Sequence, residues 1–140
     1  MAITTAMCSS FKEELLKGVH DFENDTFKMA LYTSSATLDA STTAYTVTNE
    51  VSGTGYTAGG KTLAGYTPGS GSNTAWIDWT TDPVWTASSF TARGAVIYNS
   101  SKSNKIVAIL DFGADITSSA SDFTVTLPAA AAGTAVIRLS

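Results

Sequence analysis

Apolar residues return at every second position through much of the chain. In "TFKMALYT", Phe27, Met29 and Leu31 alternate with Lys28, Ala30 and Tyr32, the period of a half-buried strand. "NTAWIDWT" sets Trp76 and Asp78 against Ile77 and Trp79, and "ARGAVIYN", "KIVAILDF", "DFTVTLP" and "TAVIRLS" are four further β-rich runs. Clusters such as "NSSKSN" at 99–104 supply turns between them. One stretch follows the helical period instead. "SSFKEELLKGVHDF" puts Phe11, Leu15, Leu16 and Val19 on one face. Ser10 followed by Glu13 reads as a capping box, and Gly18 as the C-terminal stop. The pattern predicts a helix over 10–19 behind an N-terminal arm of residues 1–9. Residues 34–74 are dominated by Ser, Thr, Gly and Tyr, with short strands expected only around 45–48 and 61–66. "PAAAAG" is bracketed by Pro128 and Gly133, too short for a helix and read as a turn.

These elements number about seven to eight strands and one helix that precedes them. A parallel sheet needs crossover helices between its strands, and none is available. The expected fold is therefore all-β: an antiparallel β-sandwich of the Greek-key or jelly-roll kind with one short N-terminal helix. The 140 residues fit one domain, 1–140, without an internal repeat.

Composition narrows the function. Hydrophobic residues make up 44% of the chain and charged residues only 14%. The polar surface therefore falls to Ser and Thr, roughly a quarter of the residues. Such a surface solvates well but repels neighbours weakly, which suits a protein packed against others. The net charge is −4 and Lys and Arg do not cluster, so no nucleic-acid partner is expected. No apolar run reaches the ~18 residues of a spanning helix, so no membrane partner is expected either. The first residues, "MAITTAMCSSFKEELL", lack the basic and apolar regions of a secretory signal. The single cysteine, Cys8, has no partner for an intrachain disulfide and fits a reducing compartment.

Several patterns touch on chemistry. "GYTAGGKT" (55–62) fits the phosphate-cradling G-x-x-x-x-G-K-[ST] loop, and "KIVAILDF" resembles the strand that carries a magnesium-holding aspartate. A phosphate loop needs a buried strand before it and a helix after it. Here "TNEVSGT" precedes, and Gly65, Pro68, Gly69 and Gly71 follow, so no nucleotide or other cofactor is expected and the loop is read as a flexible or partner-ordered surface loop. His20 is the only histidine and is read as a capping or surface residue, without a nucleophile motif. Cys8 stands where a helix dipole lowers thiol pKa, but without a base it is read as a small buried side chain. Asp21, Glu23 and Asp25 alternate as in calcium loops yet fall short of a full donor set. They are read as a solvated turn, and no metal is expected. Trp76, Trp79 and Trp85 would serve a carbohydrate-binding face only if they shared an exposed surface. No catalytic residues are assigned, and the chain is not expected to be an enzyme.

Two long stretches, "FKMALYTSSATLDASTTAYTVTNEVSGTGYTAGGKTL" and "WTASSFTARGAVIYNSSKSNKIVAILDFGADITSSASDFTVTLPA", resemble the head cement (decoration) proteins of tailed bacteriophages. Within them "NEVSGTGYTAGG", "ARGAVIYN" and "LDFGAD" are the distinctive strings. The resemblance implies a jelly-roll protein on the exterior of a virion whose capsid has the HK97-type fold, assembled in the bacterial host cytoplasm. There it would clamp major capsid protein subunits. A homodimer at two-fold positions is favoured, with a trimer as the other option. A tail-fibre or other tail-associated, receptor-binding β-protein is the alternative role. The contact residues expected from the sequence are Ala2, Ile3, Thr4 and Thr5 of the apolar arm, which is suited to strand addition. Tyr56, Lys61 and Tyr66 of the glycine-rich stretch complete the set.

Overall fold

The computed structural model describes residues 2–140. Its elements are β1 (Ala6–Met7), α1 (Ser9–Leu16), β2 (Phe27–Tyr32), β3 (Lys61–Thr62), β4 (Ala64–Gly71), β5 (Thr74–Thr81), β6 (Val84–Asn99), β7 (Lys105–Thr124) and β8 (Ile137–Leu139). The strands form two antiparallel sheets, in the orders β1-β7-β6-β2-β3 and β4-β5-β8. The chain is thus an all-β sandwich with one short helix, as its alternating pattern requires.

Two strands are much longer than their sequence runs suggest. "KIVAILDF" and "DFTVTLP" are not separate strands, because β7 continues for 20 residues through Gly113 at φ +82° and Ala120 at φ +46°. β6 likewise begins at Val84 and pairs with β7 from Val84↔Thr124 to Asn99↔Lys105. Register shifts between Trp85 and Ser88, Ser88 and Phe90, Ala92 and Gly94, and Ile97 and Tyr98 bend this ribbon, since each bulge adds local twist.

The middle of β6 is buried on both faces. Register places Phe27, Met29, Leu31, Ala95 and Ile97 on one face and Ala30, Tyr32, Val96 and Tyr98 on the other. The first face meets the helix and the turn that follows it. Phe22 stacks on Phe27 at 4.5 Å, Phe11 meets Phe22 edge-on at 5.9 Å, and Trp79 of β5 lies 5.7 Å from Phe27. The second face is roofed by the 33–60 connection, where Tyr45 stacks on Tyr98 at 4.6 Å. No strand forms at 45–48, and Ala44↔Lys105 is an isolated bridge.

The helix departs from its expected bounds. Its N-cap is Cys8, without a side-chain cap, and Ser10 lies inside the first turn with its hydroxyl unpartnered. The capping box is absent because the cap falls two residues earlier, at Cys8, whose N–H donates to Val107 O at 3.1 Å. Phe11 is buried, but Leu16 is 91% exposed, so the apolar face narrows to Phe11 and Leu15. The C-terminus ends as read. Gly18 at φ +69° donates to Leu15 O at 3.1 Å and Val19 to Glu14 O at 3.0 Å, the paired bonds of a Schellman cap.

β4, "AGYTPGSG", was expected as loop beyond residue 66. It is an edge strand, where Pro68 is tolerated, and it turns into β5 at Ser72 and Asn73, both at positive φ. The Trp76 indole lies across Gly69, where a β-carbon would stand 2.7 Å from Nε1. An aromatic ring here covers the strand that glycine leaves bare. The "PAAAAG" stretch is a turn, closed by Ala135 N–H to Ala131 O at 3.0 Å.

Candidate functional site

The glycine-rich loop binds an anion, but the anion is part of the chain. Glu50 projects under residues 53–60 and accepts three hydrogen bonds: from Tyr56 Oη at 2.6 Å and Gly59 N at 2.8 Å on Oε1, and from Tyr45 Oη at 2.7 Å on Oε2. Tyr56 Oη also accepts from Leu31 N–H at 2.9 Å, and Tyr98 Oη donates to Gly59 O at 2.6 Å. Burial, followed by the nearby Glu50 carboxylate, pushes the phenols of Tyr45, Tyr56 and Tyr98 up, Tyr98 to about 12. They therefore stay protonated donors at neutral pH.

The glycines are there because the loop lies flush on the sheet. A β-carbon at Gly60 (φ +75°) would overlap the Met29 carbonyl oxygen and stand 2.7 Å from Ala30 Cα. One at Gly55 (φ +85°) would stand 2.9 Å from Ser88 Cα. The loop is thus packed against β2 and β6 by its own chain, which corrects the reading of it as a flexible surface loop. Strands β3 and β4 follow it where a phosphate loop requires a helix.

His20 is neither a cap nor a surface residue. Its side chain is fully buried, with Nδ1 accepting from Asn99 Nδ2 at 3.0 Å and Nε2–H donating to Glu14 Oε1 at 3.0 Å. The chain of bonds continues at both ends. Asn99 Nδ2 donates to Asp25 Oδ2 at 2.8 Å, Lys102 Nζ reaches Asp25 Oδ1 at 2.8 Å, and Lys105 Nζ reaches Glu14 Oε2 at 2.9 Å. Both ring nitrogens are occupied, so the histidine holds the helix, the 17–26 turn and the β6–β7 hairpin together. Burial works against the Asp25 carboxylate, but hydrogen bonds from Lys102 and Asn99 outweigh it and hold its pKa at about 2.

The acidic turn is also engaged internally. Asp21 accepts from the backbone N–H of Glu23 and Asn24 and from Asn24 Nδ2. Among the described residues no group of three His, Cys, Asp or Glu is arranged to hold a metal. The Cys8 thiol is pushed up to about 11, by burial first and Asp39 second, the opposite of what its place at the helix start suggested. Trp79 and Trp85 are buried and Trp76 lies over Gly69, so the three indoles share no exposed face. No described helix is long and apolar enough to cross a membrane.

The expected contact residues fall into two groups. The arm is paired at home. Thr4 N–H donates to Leu38 O at 2.9 Å, and Leu38 N–H to Ala2 O at 3.0 Å. Ile3 is buried against Gly94, and Thr5 Oγ1 accepts from Asp111 N–H at 2.9 Å. In this fold the arm is held by its own chain, at β7 through Ala6 and Met7 and at Leu38 through Ala2 and Thr4. Tyr56 belongs to the interior network described above. Lys61 and Tyr66 remain outside, Lys61 on β3 and Tyr66, 37% exposed, on β4 near Asp21 and Glu23.

A feature without a sequence signal lies on the other side. Leu110, Phe112, Ile116 and Phe123 of β7, with Leu127 and Val136, line an open apolar groove of about 640 Å³. Ile116 is 45% exposed there. All its lining residues lie between Leu110 and Val136, in β7 and the segment that follows it.

In comparisons with known proteins, no family model, no curated protein and no solved structure matches this chain.

Proposed function

We propose that the chain is a structural virion protein that binds the outside of an HK97-type phage capsid and stabilises contacts between major capsid protein subunits. The observation that carries this reading is where the three distinctive strings of the resemblance fall. "NEVSGTGYTAGG" is the Glu50-clamped loop, "ARGAVIYN" is the doubly buried part of β6, and "LDFGAD" is the bend of β7. The last two also meet each other, Arg93 lying 3.5 Å from Asp111 and 3.7 Å from Asp115. What supports the reading is that the first two strings carry much of the fold's own bonding and packing, through Glu50, Tyr56, Gly60 and the buried run from Gly94 to Asn99.

A clamp needs a stiff body and a sparsely charged contact face. The internal bonding of the arm, the loop and the acidic turn supports the first, and the Ser- and Thr-rich surface supports the second. The contact face is assigned to the β3–β4 side with Lys61 and Tyr66, in a homodimer at two-fold positions. The test is shell hardening. Capsids of the encoding phage that lack this protein are heated with a DNA-binding dye, with and without the purified chain. Added chain should raise the temperature of DNA release, and Tyr66→Ala should weaken the effect. An unchanged release temperature, with labelled chain found on tails or host cells, would move the protein to the tail-associated class.

A further inference from the structure

The Asn99 amide decides the charge state of His20. Its Oδ1 accepts from Ser101 N–H at 3.0 Å, and its Nδ2 donates to Asp25 Oδ2 at 2.8 Å. Turning the amide over would break both bonds and set its oxygen against a carboxylate. Its NH2 group is therefore what meets His20 Nδ1, at 3.0 Å. Nδ1 can accept there only without a proton. The ring proton then sits on Nε2, facing Glu14 Oε1 at 3.0 Å, and the contact requires neutral imidazole.

A proton added at Nδ1 would point at the amide hydrogens. It would also upset a balanced set of charges. Glu14 on α1 is paired with Lys105 at 2.9 Å, and Asp25 on the turn with Lys102 at 2.8 Å. An imidazolium would add a third cation to two carboxylates, on a side chain that is fully buried among Phe11, Phe22 and Phe27. Burying a surplus charge is costly. Burial works against the Glu14 carboxylate, but hydrogen bonds from Lys105 and His20 outweigh it and hold its pKa low, while that of Asp25 lies at about 2. Both carboxylates thus stay ionised in mild acid. His20, the only histidine of the chain, is the one group of the cluster that changes charge there.

We infer that this cluster is a pH-operated joint: neutral His20 closes α1 and the 17–26 turn onto the β6–β7 hairpin, and mild acid releases them. The closed joint excludes the proton, whereas a released imidazole takes one at its ordinary value of about 6.5. The contact is therefore at full strength above that value and weakens as pH falls below it. At pH 5 the released form should gain about thirtyfold over its share at pH 7.5. The inference stands on the cluster alone and does not depend on the capsid reading.

The test uses the full chain and two readouts. Nitrogen NMR of the single imidazole at pH 7.5 should show Nε2 protonated and Nδ1 bare. Amide exchange, corrected for its intrinsic pH dependence, should lose about thirtyfold protection within 9–26 between pH 7.5 and pH 5, while 95–98 in β6 keep theirs. His20→Gln, uncharged at both values and able to accept and donate, should abolish that difference. The inference is overturned by an imidazolium at pH 7.5, or by equal protection of 9–26 at the two pH values. It is equally overturned if 95–98 lose protection to the same extent, which would make the effect a general loss of stability, or if the loss persists in His20→Gln. Should that variant not fold, the two readouts on the native chain still decide.

Discussion

Replacing Gly60 by alanine separates packing from backbone strain. Gly60 and Gly18 have similar positive φ, +75° and +69°, so a side chain at either carries a left-handed backbone cost of about 1 kcal/mol. They differ in what the new methyl meets. At Gly18 nothing lies within 4 Å, while at Gly60 the methyl would overlap the Met29 carbonyl and stand 2.6 Å from its carbon. Those atoms belong to a paired β2 strand in the core and have little room to retreat. Overpacking of this kind adds about 2 kcal/mol, so Gly60→Ala should cost about 3 kcal/mol and Gly18→Ala about 1 kcal/mol. With a urea slope of about 2 kcal/mol/M, the midpoints should fall by about 1.5 M and about 0.5 M. Urea titration followed by fluorescence of the buried Trp79 and Trp85 reads both variants. Equal midpoints would refute the claim that the glycine loop is packed flush on β2, and would return the loop to a mobile surface element.

The other expectations follow from the same contacts. Glu50→Ala removes three hydrogen bonds, two from tyrosines. It should cost about 2–4 kcal/mol and speed amide exchange across 44–60, whereas exchange unchanged there would refute the clamp. The Asp25 pKa lies at about 2, below its ordinary value of 3.8, so its contribution is fully present above about pH 4 and is lost as pH falls toward 2. Lys102→Met should therefore move the acid-unfolding midpoint to higher pH, and an unmoved midpoint would deny the pairing. Asp78 is buried, with one oxygen on Trp79 N–H at 2.8 Å and the other without a well-formed bond. Burial pushes its carboxyl up. Because the folded state then holds the proton more tightly, stability is lost as pH rises through the folded pKa. Asp78→Asn should stabilise the protein at neutral pH relative to acid, as read by thermal unfolding at both. An equal effect at the two values would contradict that sign.

The legible part of this chain was its periodicity. "TFKMALYT" and "ARGAVIYN" were legible as strands, and the sandwich follows from such runs. They are not half-buried, since one face of each meets the aromatic layer and the other meets the roof. Gly18 was legible because a Schellman cap is local. β4 was not, since the cover for Gly69 is the Trp76 ring on the next strand, a contact that propensity does not contain. The length of β7 was hidden for a related reason. Gly113 and Ala120 look like breaks, yet bulges absorb them within one ladder. His20 and Tyr56 looked free because their partners stand far along the chain, His20 bonding to Asn99 and Tyr56 to Leu31 N–H. The arm's apolar residues were rightly read as β-prone, but sequence does not say whose sheet such a segment joins. The groove left no signal, because Phe112 on β7 and Val136 on the segment after it share a surface only in the folded chain.

The capsid reading is tested most directly by imaging. Capsids of the encoding phage that lack this protein are mixed with the purified chain, pelleted and reconstructed by electron cryo-microscopy. The account predicts stoichiometric density at one class of symmetry position on the outer shell, into which the eight-stranded sandwich fits with Lys61 and Tyr66 toward the capsid. Bare shells at saturating chain would contradict it.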